Sequence, residues 1–222
     1  MKWVVPQDWK DETVFLIGGG PSVANVDLTC LRQQRVVVVN SSYLVYPDAD
    51  TLLFTDIRWW GKYKPKFKGE IVTITPVHKL YPKNILVLDR QRSGGLSHDP
   101  TRLACWHTSM TTAINLIALR GAKRIAILGL DGQGEWHHAP YPLVWGRNKD
   151  KFRFHREALE DLRPQLEEWG VEVYNLNPNS THKMFPFASL DKMLDRWSAK
   201  ELAEADAEAK ELFKFFHPDG VA

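Results

Sequence analysis

Seven short runs of aliphatic and β-branched residues, at 13–17, 36–39, 51–55, 70–74, 85–88, 124–128 and 171–176, constrain this chain more than any other feature. Each is bounded by Gly, Pro or Asp, and none alternates strictly between apolar and polar side chains. Strands covered on both faces read this way, whereas a half-exposed antiparallel sheet would alternate. Helical periods lie between several of the runs. A short one covers 23–31, and a second, 109–119, puts Met110, Ala113, Ile114, Ile117 and Ala118 on one face before Gly121 stops it. A third, 154–169, aligns Ala158, Leu159, Leu162, Leu166 and Trp169, and Pro164 inside it implies either a kink or a later start. Strand and helix alternation predicts an α/β fold: a Rossmann-like, doubly wound, mostly parallel sheet with helices on both faces and a C-terminal helix.

The chain has 222 residues, 44% hydrophobic and 25% charged, enough for one large core. The simplest division is a nucleotide-binding domain over 1–197, followed by a helix and tail over 198–222 in which Leu202, Ala205, Ala209, Leu212, Phe213 and Phe216 make one apolar stripe. That stripe reads as a surface for packing on the domain or on a second copy in a homo-oligomer, with a peripheral membrane contact as the sharper alternative. No apolar run approaches the ~18–20 residues of a membrane span, and 1–11 lacks the apolar stretch of a signal peptide, so the expected location is the cytoplasm. Cys30 and Cys105 stand far apart and outside any CxxC pattern, which gives no support to a disulfide framework or a sulfur-rich metal site. A net charge of +2 does not announce a nucleic-acid partner; binding through Arg90, Arg92, Arg102 and the basic cluster at 147–153 is a minor alternative. Of nine tryptophans, Trp59, Trp60, Trp136 and Trp145 fall in polar segments, where they either line a ligand or partner surface or pack under loops.

Chemistry is expected at the carboxyl ends of the strands. The first run ends in Gly18-Gly19-Gly20-Pro21-Ser22, where glycines let the backbone approach an anion and Pro21 and Ser22 open a helix whose positive end favours phosphate. The alternative is a tight strand-to-helix connection. The spacing matches neither GxxxxGK[ST] nor GxGxxG, which disfavours P-loop NTPases and nicotinamide dehydrogenases. Asn40, Ser41, Thr55 and Asp56 end the second and third runs, placed either to bond a ribose or base or to cap turns. Thr108 and Ser109 start the central helix and offer either a second phosphate or sugar contact or a plain N-cap. Asp131 ends the sixth run, where it could hold Mg²⁺, orient a hydroxyl or make a turn.

Two segments, 89–107 and 132–153, are too long for mere connections and are candidate active-site loops. The second carries His137, His138, Tyr141, Trp145, Arg147, Lys149 and Lys151. No HExxH or HxH pattern supports zinc, so these groups fit leaving-group stabilisation and charge pairing better than metal binding. His155, opening the following helix, is the best single base candidate: a helix N-terminus would keep it neutral, as a general base must be. A histidine packing at a helix start is the alternative reading.

The run Ile17 to Ser22, with Val26-Asp27, Val39-Asn40, Thr108-Ser109, Ile127 to Asp131 and Val173 to Ser180, resembles the bacterial CMP-sialic acid-dependent sialyltransferases of glycosyltransferase family 42. Similar segments occur in the domain-of-unknown-function family numbered 115, which includes archaeal 6-hydroxymethylpterin diphosphokinases, and in related phage-encoded proteins. The resemblance implies a cytoplasmic, inverting glycosyltransferase with a nucleotide-sugar donor, a saccharide or other hydroxyl acceptor and no cofactor. Gly18 to Ser22 and Asn40 would meet the nucleotide, Asp56 would stand where the family has an asparagine, Ser109 would touch the donor, and His155 lies near the family's base. Where the family places leaving-group tyrosines this chain has only Tyr141 and the His137-His138 pair, and Met110 replaces a second glycine-rich signature. The pterin relatives imply a different chemistry, Mg²⁺-dependent diphosphate transfer with Asp131 and Asp56 as ligands. A third reading is a non-catalytic accessory protein that keeps the fold.

Overall fold

Every one of the seven apolar runs becomes a strand, and together they make one sheet. The computed structural model describes residues 3–75, 82–134 and 151–194, with Lys151 described by its backbone alone. Within these residues β1 is Thr13–Ile17, β2 Arg35–Val39, β3 Thr51–Phe54, β4 Glu70–Thr73, β5 Ile85–Val87, β6 Asp89–Gln91, β7 Arg102–Ala104, β8 Arg124–Leu128 and β9 Glu172–Asn175. The helices are α1 (Ile57–Tyr63), α2 (Ser109–Leu119) and α3 (Lys151–Glu168). The large sheet runs β5-β4-β3-β2-β1-β8-β9, and all its pairings are parallel. The chain winds outward from β1 to β5, then returns to the other side of β1 for β8 and β9. The order therefore reverses at the β1–β8 junction, where doubly wound sheets open a crevice at the carboxyl ends of their strands.

Burial on both faces accounts for the continuous apolar runs. Val14, Leu16, Val37, Val39, Leu53, Ile125 and Ile127 share one cluster with Ala113, Ile114 and Ile117 of α2 and Leu159, Leu162 and Leu166 of α3. The alternate residues Phe15, Ile17, Val36, Val38, Leu52, Phe54 and Ala126 are buried as completely, and Phe54 packs on Trp59 and Trp60 of α1. Both tryptophans thus pack, Trp59 while also lining the cleft at the carboxyl edge of the sheet. Helix α2 is buried from Met110 to Leu119, all round and beyond the single expected face. Its Asn115 spends a side-chain oxygen on the amides of Ser97 and Ala104 and its amide group on the Ser97 carbonyl. That pins the 89–107 segment, which contains the two-stranded sheet of β6 and β7 in place of an open loop. Removing the side chain of Ile114 or Ile117 is expected to cost about 2–5 kcal/mol.

Two helical expectations change. Residues 23–31 form two 3-10 turns, Pro21–Asn25 and Leu28–Leu31, because Asp27 caps a new turn through the Thr29 amide and interrupts the first. Helix α3 starts at Lys151 and passes through Pro164, so the proline does not delay its start.

At the amino edge of the sheet Arg120, at the end of α2, is buried against Trp9, its guanidinium 4.2 Å from the ring centroid. It pairs with Glu70 and Asp8. The Arg120 carbonyl also accepts the Trp9 amide, which fastens the N-terminal segment to the helix.

The chain divides into two compact units, Met1–Phe187 and Ala188–Ala222. In the second, Ser189 starts a helical turn, its hydroxyl accepting the Lys192 amide. The apolar stripe expected at 202–216 lies outside the described residues. Among the described residues, no helix is long and apolar enough to cross a membrane.

Candidate functional site

A cleft of about 800 Å³ opens at the carboxyl edge of the large sheet. That size suits a small-molecule ligand. Gly19 and Gly20 after β1, Asn40 after β2, Thr55 and Asp56 after β3, and Gly129 to Gly132 after β8 line it, with Thr108, Ser109 and Met110 at the start of α2. Phe152, His155 and Leu159 of α3 and His182 beyond β9 form another wall, and Arg58, Arg90 and Arg92 add positive charge. Two of the four described non-glycine residues with positive φ, Asn40 (48°) and His107 (59°), line it as well. Left-handed backbone of this kind concentrates at ligand sites.

Three of the candidate side chains, Asn40, Thr55 and Ser109, meet in the cleft. The side-chain amide of Asn40 donates to Ser109 Oγ at 3.2 Å, and Thr55 Oγ1 lies 2.7 Å from the same oxygen. Three strand and helix ends are thereby tied at one point. Thr108 N-caps α2 through the Met110 amide, so the helix delivers its free first-turn amides to the cleft. Ser41 also lines the cleft, but it is buried and accepts the indole N–H of Trp59. Asp56 caps α1 and is bonded by two nitrogens of the Arg58 guanidinium, Nε to both carboxylate oxygens and Nη2 to one. Burial acts to raise the Asp56 carboxyl, but the hydrogen bonds and charge of Arg58 outweigh it and hold it below the ordinary range.

The glycine turn departs most from expectation. Gly18 and Gly20 give their amides to the Leu128 and Gly129 carbonyls, and Ser22 gives its amide and hydroxyl to the Asp131 carboxylate, at 2.8 and 2.6 Å. Asn177 donates to Asp131 as well, at 2.7 Å. The anion in this turn is the protein's own aspartate. A Cβ at Gly20 would lie 2.5 Å from the Gly129 carbonyl oxygen and 2.6 Å from an Asp131 oxygen, so glycine is required for this approach. Pro21 and Ser22 line a separate, smaller depression with Asp131 and Asn177, while Gly18 lines neither. The helix they open is a 3-10 turn of five residues, too short to offer an aligned dipole.

His155 lies in the cleft as expected, beside Phe152 at 6.1 Å between ring centroids. It is the fifth residue of α3 and does not open the helix, because Lys151 to Phe154 are already helical. That places it beyond the first turn, where a helix dipole acts. His137, His138 and Tyr141 lie outside the described residues, as do Trp136 and Trp145. Among the described residues, no three His, Cys, Asp or Glu side chains group closely enough to hold a metal ion. The carboxylates a Mg²⁺ site would need, Asp56 and Asp131, are engaged by Arg58 and by Ser22 and Asn177. This donor set does not fit Mg²⁺.

Several cleft residues escaped the sequence reading, Arg58, His107 and His182 among them. His182 is buried, and its Nδ1 has no hydrogen-bond partner. The loop that carries it is built by the 173–180 motif: Asn175 donates to the Leu130 and His182 carbonyls, and Ser180 Oγ donates to Leu130 and accepts the His182 amide. Burial first, then the charge of Arg156, push the imidazole below its usual pKa, against the opposing pull of Asp131.

No protein-family model matches the chain, and no curated protein does. Solved structures do. The sialyltransferase CstII from Campylobacter jejuni, in complex with cytidine-5'-monophosphate, is 15% identical, with a TM-score of 0.51 over 81% of this chain and 86% of that one. The same enzyme with CMP-3FNeuAc is 14% identical, with a TM-score of 0.51 over 80% and 86%. The sialyltransferase CST-II with a trisaccharide acceptor and CMP gives 14% and 0.50 over 79% and 85%. At these identities the likeness is one of fold: the chain has a sialyltransferase-like α/β fold.

Proposed function

We propose that this chain is a glycosyltransferase that takes a nucleotide-activated sugar as donor and inverts the anomeric carbon. The observation that carries the reading is the convergence of Asn40, Thr55 and Ser109 on one point beside the N-terminus of α2, in the carboxyl-edge cleft of a fold that CstII uses with CMP. A nucleoside has hydroxyls and a polar base edge for such a cluster. Its phosphate suits the free amides of the α2 first turn and the nearby guanidinium groups better than the glycine turn, whose amides are mostly spent. His155 removes the acceptor's hydroxyl proton as that oxygen bonds to the anomeric carbon. The bond from that carbon to the phosphate oxygen breaks, and the electron pair leaves with the phosphate. Arg90 and Arg92 favour this departure electrostatically. His137, His138 and Tyr141 remain candidates for stabilising the same leaving group.

The test is a binding screen of CMP, UDP, GDP and ADP, with their sugars, by thermal shift with and without Mg²⁺. One nucleotide should stabilise the protein without Mg²⁺. His155→Ala should keep that binding and lose about 10²- to 10⁴-fold in turnover of the matching nucleotide sugar. Absence of nucleotide binding would remove the reading, and unchanged turnover would remove His155 from it.

A further inference from the structure

The structure assigns a second imidazole to the ligand: His182 donates a hydrogen bond from Nε2 to the phosphate of the bound nucleotide. This rests on the nucleotide reading above and deepens it. At the β1–β8 crevice several polar groups are already committed. The Gly20 amide is given to Gly129, both Asp131 oxygens to Ser22 and Asn177, Thr108 Oγ1 to Met110, and the Gln133 side-chain amide to the Asn179 carbonyl. His182 lines the same crevice, is 3% exposed, and keeps a ring nitrogen without a partner.

Its tautomer follows from that burial. Nδ1 is sealed from solvent with no acceptor in reach, and an unpaired buried N–H is tolerated less well than an unpaired lone pair. The proton of the neutral ring therefore sits on Nε2. The edge bearing Nε2 borders Gly132: a Cβ there would lie 2.8 Å from Cδ2 and 2.9 Å from Nε2. Gly132 has φ +70° and itself lines the cleft, so a glycine leaves this ring edge uncovered on the ligand side. A fixed N–H at that place, in a cleft whose carboxylates are occupied internally, selects an anionic acceptor atom. A phosphate oxygen supplies one.

The experiment compares CMP, UMP, GMP and AMP, each against its own nucleoside, by calorimetry on the full chain and on His182→Ala and His182→Gln. For the monophosphate that binds, His182→Ala should weaken binding about 10- to 100-fold and leave the nucleoside unchanged, while His182→Gln, which retains an N–H donor, should recover part of the loss. Equal losses for monophosphate and nucleoside, or no loss, would overturn the proposal while leaving the nucleotide reading intact. If the wild-type chain binds none of the four, the reading itself fails and the proposal with it. Should either variant not fold, the ¹⁵N-histidine spectrum of the wild type decides. Monophosphate, and not nucleoside, should shift the Nε2 resonance of His182; an identical response to both would overturn the assignment.

Discussion

Helix α2 ends in two opposite ways. At its start Ser109 and Thr108 meet Asn40 and Thr55 around an open cleft, with short neutral side chains and free backbone amides. At its finish Arg120 is closed under Trp9 and tied to Asp8 and Glu70, leaving about 2% of its side chain exposed. Both ends join remote parts of the chain. The first does so with weak, exchangeable hydrogen bonds that a ligand can replace, whereas the second buries a cation among aromatic rings that nothing else can fill. Stability and ligand affinity should therefore separate along one helix.

The largest expected effect breaks the closed end. Arg120→Ala should lower unfolding free energy by about 2–5 kcal/mol in denaturant titration, since it removes a buried side chain packed on Trp9 and leaves a cavity, yet nucleotide affinity of the folded fraction should not change. Asp131→Ala tests whether a cleft residue can behave like the closed end: losing bonds from Ser22 and Asn177 should cost about 2–3 kcal/mol, read by the same titration. Ser109→Ala attacks the open end and should do the reverse, weakening nucleotide binding about tenfold, or about 1.4 kcal/mol, with little change in melting temperature. The smallest effect is a pH dependence. His182 has a folded pKa below its unfolded value of 6.5, so the unfolded chain takes up the proton first as pH falls. Stability should decline below about pH 6.5 until the folded ring also titrates, with Arg156 and Asp131 as its charged neighbours, and His182→Gln should flatten that decline in melting curves from pH 7.5 to 5.

The sheet was legible because a strand buried on both faces leaves a continuous apolar run, and 13–17 and 124–128 were read to the residue. Strand ends followed, and with them Asn40, Thr55, Thr108 and Ser109. What stayed hidden depends on partners far along the chain. Nothing local in Gly18 to Ser22 reveals that its anion is Asp131, 109 positions away. Nothing in Leu119-Arg120-Gly121 shows that the arginine is buried. The strands β6 and β7, three residues each, are too short to carry a period. His182 lies two residues beyond the 173–180 motif, but its loop is held by Leu130 and Asp131 across the crevice.

The pairing of β1 with β8 has a consequence for how the molecule is made. Thr13 and Arg124 are neighbours in the sheet yet 111 positions apart in the chain. Closing so long a loop is slow compared with the adjacent windings from β1 to β5. During synthesis β1 therefore emerges with one edge unpaired and must wait for most of the chain before β8 covers it, which makes that edge the segment most exposed to wrong partners. The crevice, lying where the two strands meet, cannot form before this seam closes.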